Sequence, residues 1–447
     1  MSLKYRLLFS LFSLICGQIM AQQNENSPYS RYGIGDITDN NLNHLRQMGG
    51  LGASYLDGYQ INIVNPASYA FLNATAFDLG VFAKHTWLSD KNNTSKIWSG
   101  NLDYMSLAFP LRNPINELYD GVTRKYKLAM AFTLIPHSTV NYNIAIRDSV
   151  PGSDPFNRNY RGSGGSYKLM WGNAIRWSDF SLGVNLGYLF GRLAYDNVVA
   201  FSIPAYAYSD NFSTSYNVNG FLWNAGLLYT RVLNKTALEK NKTLPVQRIS
   251  LGLHAGSATG IQTRASINHR LQQALPGGIT NVDTVQIIND VKGSGKLPAE
   301  IGLGATWYGG ERWAMGVNYS TTLWSDYFNE ASGEVKGSLK DGTKLSVGGY
   351  FRPDYKSFDN FFERVYYRMG AFYHVDPRVI SANQITTYGL TFGFGVPFVF
   401  QRKVSHLNIG IQAGVKGKDT PVSENFVKFN FGVTFNDDEW FLKRKYN

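Results

Sequence analysis

Alternation of apolar and polar residues with a period of two runs through most of this chain. Leu407, Ile409, Ile411, Ala413 and Val415 alternate with Asn408, Gly410, Gln412 and Gly414, and Val427, Phe429, Phe431, Val433 and Phe435 alternate with Lys428, Asn430, Gly432 and Thr434. The same rhythm recurs over 388–396 and 313–319. In an extended strand, residues two apart share a face. Here one face is greasy and the other carries mostly Gly, Ser, Asn or Thr, with few charges. A soluble sandwich would put charges outside. This inside-out arrangement is that of strands with lipid on one side and a polar lumen on the other, closed into a ring so that every backbone hydrogen bond is satisfied.

Period and turn signals predict an all-β transmembrane antiparallel barrel of about fourteen strands. The expected segments are 75–88, 98–111, 124–148, 159–177, 179–206, 212–233, 246–268, 283–309, 311–328, 336–352, 364–377, 382–398, 404–416 and 424–436. Ser178-Asp179 and Gly309-Gly310 read as tight turns, and tight turns in such barrels face the periplasm. Longer polar stretches near 148–159 and 269–284 read as loops on the opposite side. Residues 22–74 break the alternation. They are polar at first, then Gly-rich at Gly49, Gly50 and Gly52, and they reach Asn65-Pro66-Ala67 just before the first strand. Small residues let backbones pack closely, so this segment is expected to be a plug folded into the lumen. The expected organisation is a signal peptide over 1–21, the plug over 22–74, the barrel over 75–436 and a periplasmic tail over 437–447.

Composition supports the barrel. Charged residues are 17% and aromatics 15%, with 45 glycines, against about a quarter charged in ordinary globular domains. Beyond the N-terminus there is no run of apolar residues long enough for a membrane helix. Lys4 and Arg6, the apolar stretch 7–15 and Ala21 form an export signal. The single cysteine, Cys16, lies inside that signal. A cysteine-free mature chain excludes disulfides, zinc–thiolate sites and cysteine nucleophiles. The net charge of +11 is scattered, with no basic run interleaved with aromatics, which argues against nucleic acid. These charges read first as a plain solvated surface, and beyond that as contacts with anionic lipopolysaccharide and outer-membrane lipid.

Several segments resemble the long-chain fatty-acid transporter (FadL-type) family of outer-membrane channels. MGGLGASYLDGYQINIVNPASY (48–69) is similar to that family's N-terminal hatch. LIPHSTVNY (134–142) is similar to its kinked third strand, and residues 162–191, 220–229 and 297–327 look like further family segments. The resemblance implies a barrel that takes a hydrophobic small molecule from outside, passes it past a shifting plug and releases it sideways at the kink. It implies plug or gating roles for Asn65, Pro66 and Ala67, and a strand kink with lateral exit at Pro136. Trp307, Trp324 and Tyr327 are candidate ligand or interface aromatics, set against the interfacial girdle that any barrel needs. The tail NDDEWFLKRKYN continues past the last strand and resembles those of Bacteroidetes outer-membrane proteins, a lineage in which some barrels of this resemblance are subunits of larger machines.

Chemistry is sparse. His44, His85, His137, His254, His269, His374 and His406 form no dense cluster with Ser, Asn or Asp. No spacing suits a metal, and no cofactor motif is present. The expectation is a non-enzymatic protein of the outer membrane without catalytic residues, metal or cofactor. Two functions fit: uptake of hydrophobic small molecules, fatty-acid-like or aromatic, or a non-transporting barrel subunit of a secretion or protein-assembly complex. The expected partners are outer-membrane lipid and lipopolysaccharide, with a hydrophobic ligand in the first case and other complex subunits in the second.

Overall fold

A computed structural model describes residues 27–91, 93–121, 125–148, 155–201, 208–256, 258–275 and 280–440. The expected signal peptide and the last seven residues of the tail lie outside these. A two-residue strand, β1 (Asp36–Ile37), precedes the wall. The wall then runs β2 (Thr75–Ser89), β3 (Thr94–Pro110), β4 (Tyr126–Thr139) continued by β5 (Tyr142–Asp148), β6 (Phe156–Trp177), β7 (Phe180–Phe201) and β8 (Ser209–Val232). It proceeds through β9 (Gln247–Gly256) continued by β10 (Gly260–Ala274), β11 (Thr280–Lys296) continued by β12 (Glu300–Gly309), and β13 (Trp313–Thr322). After the two-residue β14 (Phe328–Asn329) come β15 (Gly342–Phe351), β16 (Tyr366–Ile380), β17 (Asn383–Phe400), β18 (Lys403–Lys416) and β19 (Ser423–Asp437).

Counting each broken pair once, fourteen antiparallel strands form the wall. The ring closes where β19 pairs with β2, from Ser423↔Ser89 to Asp437↔Thr75. Alternation sets the two faces. On β17, Leu390 and Phe392 lie 62% and 56% exposed on the outer side, while Thr391 between them is buried against the interior. Lipid provides the missing solvent for such a face.

One break has a backbone cause: Pro298, between β11 and β12, has no N–H to donate. The tight turns are those expected: Ser178 takes a positive φ of 54° between β6 and β7, and Gly310 one of 63° between β12 and β13. One expectation fails. Much of 269–284 is not a loop, because β10 and β11 stay paired out to Ala274↔Thr280. β10 also stays paired with β8 out to Gln272↔Ser209, so the wall itself stands tall on this side, and the polar sequence there reflects strands with solvent on both faces.

The face assignment is testable at the middle of β17. Leu390→Arg is expected to destabilise the barrel by about 2–4 kcal/mol, the cost of a basic side chain at the hydrocarbon midplane. Guanidinium unfolding in lipid vesicles measures it, and unchanged stability would contradict a lipid-facing Leu390.

Candidate functional site

Residues 27–74 pack inside the ring and touch it on all sides. The backbone N–H of Asn43 donates to Tyr104 Oη on β3 (3.1 Å), that of Gly49 to Thr391 Oγ1 on β17 (3.0 Å), and that of Leu56 to Tyr308 Oη on β12 (2.7 Å). Leu42, Leu45 and Met48 are fully buried. Wall glycines make room for this. A Cβ on Gly252 would overlap the carbonyl of Ala53, and one on Gly183 would overlap the Pro66–Ala67 backbone.

Asn65, Pro66 and Ala67 lie together against β7, β8 and β9. The Asn65 side-chain amide donates to the carbonyls of Ala53 (2.6 Å), Leu227 (3.2 Å) and Leu253 (3.2 Å), and its oxygen accepts from Ala67 N (3.1 Å). Asn65 thus caps the short 3-10 helix Pro66–Phe71 while tying it to the wall. Ser181 Oγ donates to the carbonyl of Ala67 (2.7 Å).

Charged pairs hold the rest of the segment. Arg46 bridges Asp39 (2.8 Å) and Asp103 of β3. Arg378 of β16 bridges Asp36 (2.7 Å) and Asp376 (2.5 Å) and donates to the carbonyl of Tyr29 (2.8 Å), while Lys416 of β18 reaches Asp36 at 2.9 Å. Arg368, 1% exposed, donates to Gln47 (2.8 Å), Gln60 (3.2 Å) and Asn408 (2.7 Å). None of these charges was singled out from sequence. The available signal was a basic residue at a lumen-facing position of a strand, as at Arg368, Arg378 and Lys416.

Pro136 lies where the wall is thinnest. The β3–β4 ladder runs only from Met105↔Leu134 to Pro110↔Ala129, so the outer part of β3 has no β4 partner among the described residues. On its other side Pro136 stays in register with Tyr167 of β6, followed by a shift before Ser138. The N-terminal segment takes over the free edge of β4. Asp36↔Thr139 and Ile37↔Ser138 pair as β1, Thr38 Oγ1 donates to the carbonyl of Pro136 (2.6 Å), and Thr38 N donates to that of His137 (3.0 Å). The result is a side notch backed by the segment's own strand.

The three candidate aromatics are not brought together. Trp307 is 42% exposed on the outer face near the tight turn at Gly309-Gly310, in edge contact with Trp313 at 5.1 Å. Trp324 and Tyr327 are buried at the opposite end, 5.5 Å apart, and Tyr327 Oη donates to Glu334 (2.7 Å).

Two interior cavities remain, of about 190 and 150 Å³, with Ile37, Thr38, Lys344 and His374 common to both. Each falls below the roughly 300 Å³ at which small-molecule sites begin. The larger reaches the notch at Leu102 and Pro136, but its walls include Asp36, Asp39, Arg46, Lys84, Asp103 and Arg378. Greasy cargo there would face ion pairs rather than hydrocarbon.

The segment's own carboxylates record the network's strength. Burial works to raise Asp36, but Lys416 and Arg378 outweigh it and hold the carboxyl well below its ordinary value. Burial is likewise outweighed at Asp39, by Arg46. A depressed folded-state value stabilises above the ordinary carboxylate range and is lost as pH falls towards the folded value. Docking of the segment is therefore expected to be constant from about pH 8 to 5 and to weaken below about pH 4. Asp36→Asn at neutral pH strands Arg378 and Lys416 with one carboxylate fewer and costs about 3–5 kcal/mol of docking. Limited proteolysis of 27–74 across pH measures both, and pH-independent cleavage from pH 7 to 3 would contradict the arrangement.

The fold is shared with solved channels. A Pseudomonas aeruginosa FadL homologue aligns with a TM-score of 0.56 at 12% identity, covering 90% of this chain and 99% of its own. The CymD monoaromatic hydrocarbon channel gives 0.52 at 15%, covering 91% and 99%. The Pseudomonas putida toluene transporter TodX gives 0.51 at 15%, covering 93% and 99%. At such identities the likeness is one of fold. No curated protein sequence matches the chain. One family model does, BamG, over residues 3–447. An outer-membrane channel fold thus carries a sequence of a different name, and the chain belongs to the BamG family.

Proposed function

We propose that this protein is a non-transporting barrel subunit of an outer-membrane secretion or protein-assembly complex, built on the fold of hydrophobic-compound channels. The filled lumen carries this reading. The N-terminal segment is bound to the wall around its circumference, and the space left is small: a chamber of about 190 Å³ lined by ion pairs and a more apolar one of about 150 Å³. Moving the segment would break buried pairs that cost about 3–5 kcal/mol each to disrupt. A greasy ligand would gain little in exchange.

An exposed surface suits partners. From Thr280 to Lys292, β11 pairs with β10 on one side and has no ladder partner on the other among the described residues. Val282, Val285, Ile287 and Val291 on this strand are 47%, 53%, 47% and 40% exposed. A long unpaired sheet edge, here a polar one carrying exposed valine and isoleucine, invites another chain unless it is covered.

Uptake of hydrophobic small molecules is the second reading, favoured by one feature: the notch beside Pro136, together with the fold common to CymD, TodX and the FadL homologue. In that reading Asn65-Pro66-Ala67 gates and Pro136 marks a lateral exit.

A cysteine pair separates the two. Ile37 and Ser138 are direct partners in the β1–β4 ladder, where Cα atoms lie about 4.5–5.5 Å apart, within disulfide reach. Ile37→Cys with Ser138→Cys locks the segment to the wall, and no cysteine lies beyond Cys16 to interfere. The oxidised variant is expected to restore a deletion strain as fully as wild type. Loss of complementation on oxidation, regained with reductant, would overturn the subunit reading in favour of a moving gate.

A further inference from the structure

The mouth of the barrel on the short-turn, periplasmic side holds a third cavity, of about 470 Å³, larger than either interior chamber. Its ceiling is the N-terminal segment at Leu56, Asp57 and Tyr59, and its sides are the periplasmic ends of the wall strands. Three arginines face it: Arg248, Arg352 and Arg364. Only Arg352 is neutralised, by the Glu311 carboxylate at 3.0 Å. Arg248 and Arg364 have no ion-pair partner among the described residues, and the Nε of each is buried without a hydrogen bond. His406, 4% exposed, lines the same space with its Nδ1 unpartnered.

The other acid in the lining is already committed. Asp57 accepts from Tyr59 N (2.8 Å), Gln60 N (3.2 Å) and Tyr55 Oη (3.2 Å), which closes a local turn. The remaining walls are aromatic. The Arg248 guanidinium lies 4.7 Å over the Tyr308 ring, Arg352 lies 4.3 Å over Tyr366, and Tyr350 meets Tyr366 edge-on at 5.1 Å. Stacking fixes a guanidinium's plane and leaves its edge free to donate in pairs. Unsatisfied cation edges inside a partly dry aromatic pocket are costly unless an anion completes them.

We propose that this mouth is a binding site for an amphipathic carboxylate presented from the periplasm, its acid on the free guanidinium edge of Arg248 or Arg364 and its aromatic or branched body against Tyr308, Tyr350 and Tyr366. A planar fork selects a carboxylate over a neutral amide, because charge-assisted bidentate bonds are about twice as strong as neutral ones. The tyrosine walls select a body over a bare acid. The cavity's size falls within the range of small-molecule sites. The site depends on neither reading of the protein's function, since its residues belong to the wall ends and to the docked segment.

The test uses the full-length protein in detergent micelles, titrated calorimetrically with N-acetylphenylalanine, N-acetylphenylalanine amide and N-acetylglycine. N-acetylphenylalanine is expected to bind at least about tenfold more tightly than either of the others, a difference of about 1.4 kcal/mol, and to weaken with added salt. Arg248→Gln combined with Arg364→Gln is expected to remove that preference, while Lys344→Gln in the interior chamber leaves it unchanged. The comparison among the three probes needs no variant, so a folding defect cannot hide the answer. Equal binding of acid and amide, or no binding of the acid at millimolar concentration, would overturn the proposal.

Discussion

A chain crossing hydrocarbon must satisfy every backbone N–H and C=O from within itself, and a closed fourteen-stranded ring does so only by enclosing a lumen too wide for its own side chains to fill. The rest of this structure follows from how that lumen is filled. Wall glycines such as Gly183 and Gly252 let the N-terminal backbone approach the wall. Asn65 ties the end of the segment to three carbonyls. Charges on the strands then meet charges on the segment, with Asp36 between Arg378 and Lys416 as the centre of the outer half. Once those pairs form, interior space for an apolar cargo is largely gone.

The same constraint explains the notch. β4 parts from β3 beyond Leu134, which would leave an unsatisfied edge. Pro136 contributes no N–H to that edge, and β1 with Thr38 covers the carbonyls and amides beyond it. The opening is backed by a hydrogen-bonded strand and leads to an ion-paired chamber.

The wall was legible in the sequence because period two is a local signal. Expected strand ends fall close to the observed ones from β16 to β19, whereas β15 begins at Gly342 rather than at 336. The β10–β11 hairpin was misread as loop because strands with solvent on both faces lose the greasy–polar rhythm. The interior network was not legible. Arg46 meets Asp103 across 57 positions, and Arg378 meets the carbonyl of Tyr29 across 349. Such pairings follow from ring closure, which no local pattern encodes. For the same reason Trp307 could not be separated from Trp324 and Tyr327 by sequence, although the fold places them at opposite ends of the barrel.

In the proposed subunit role the lumen stays packed and the outer surfaces carry the function. Gentle detergent extraction from the native membrane, followed by mass spectrometry of copurifying proteins and bound lipids, tests it most directly. The expected result is stoichiometric recovery with a larger outer-membrane secretion or assembly barrel and no hydrophobic ligand in the interior. A monomer carrying a fatty acid or an aromatic hydrocarbon would contradict it.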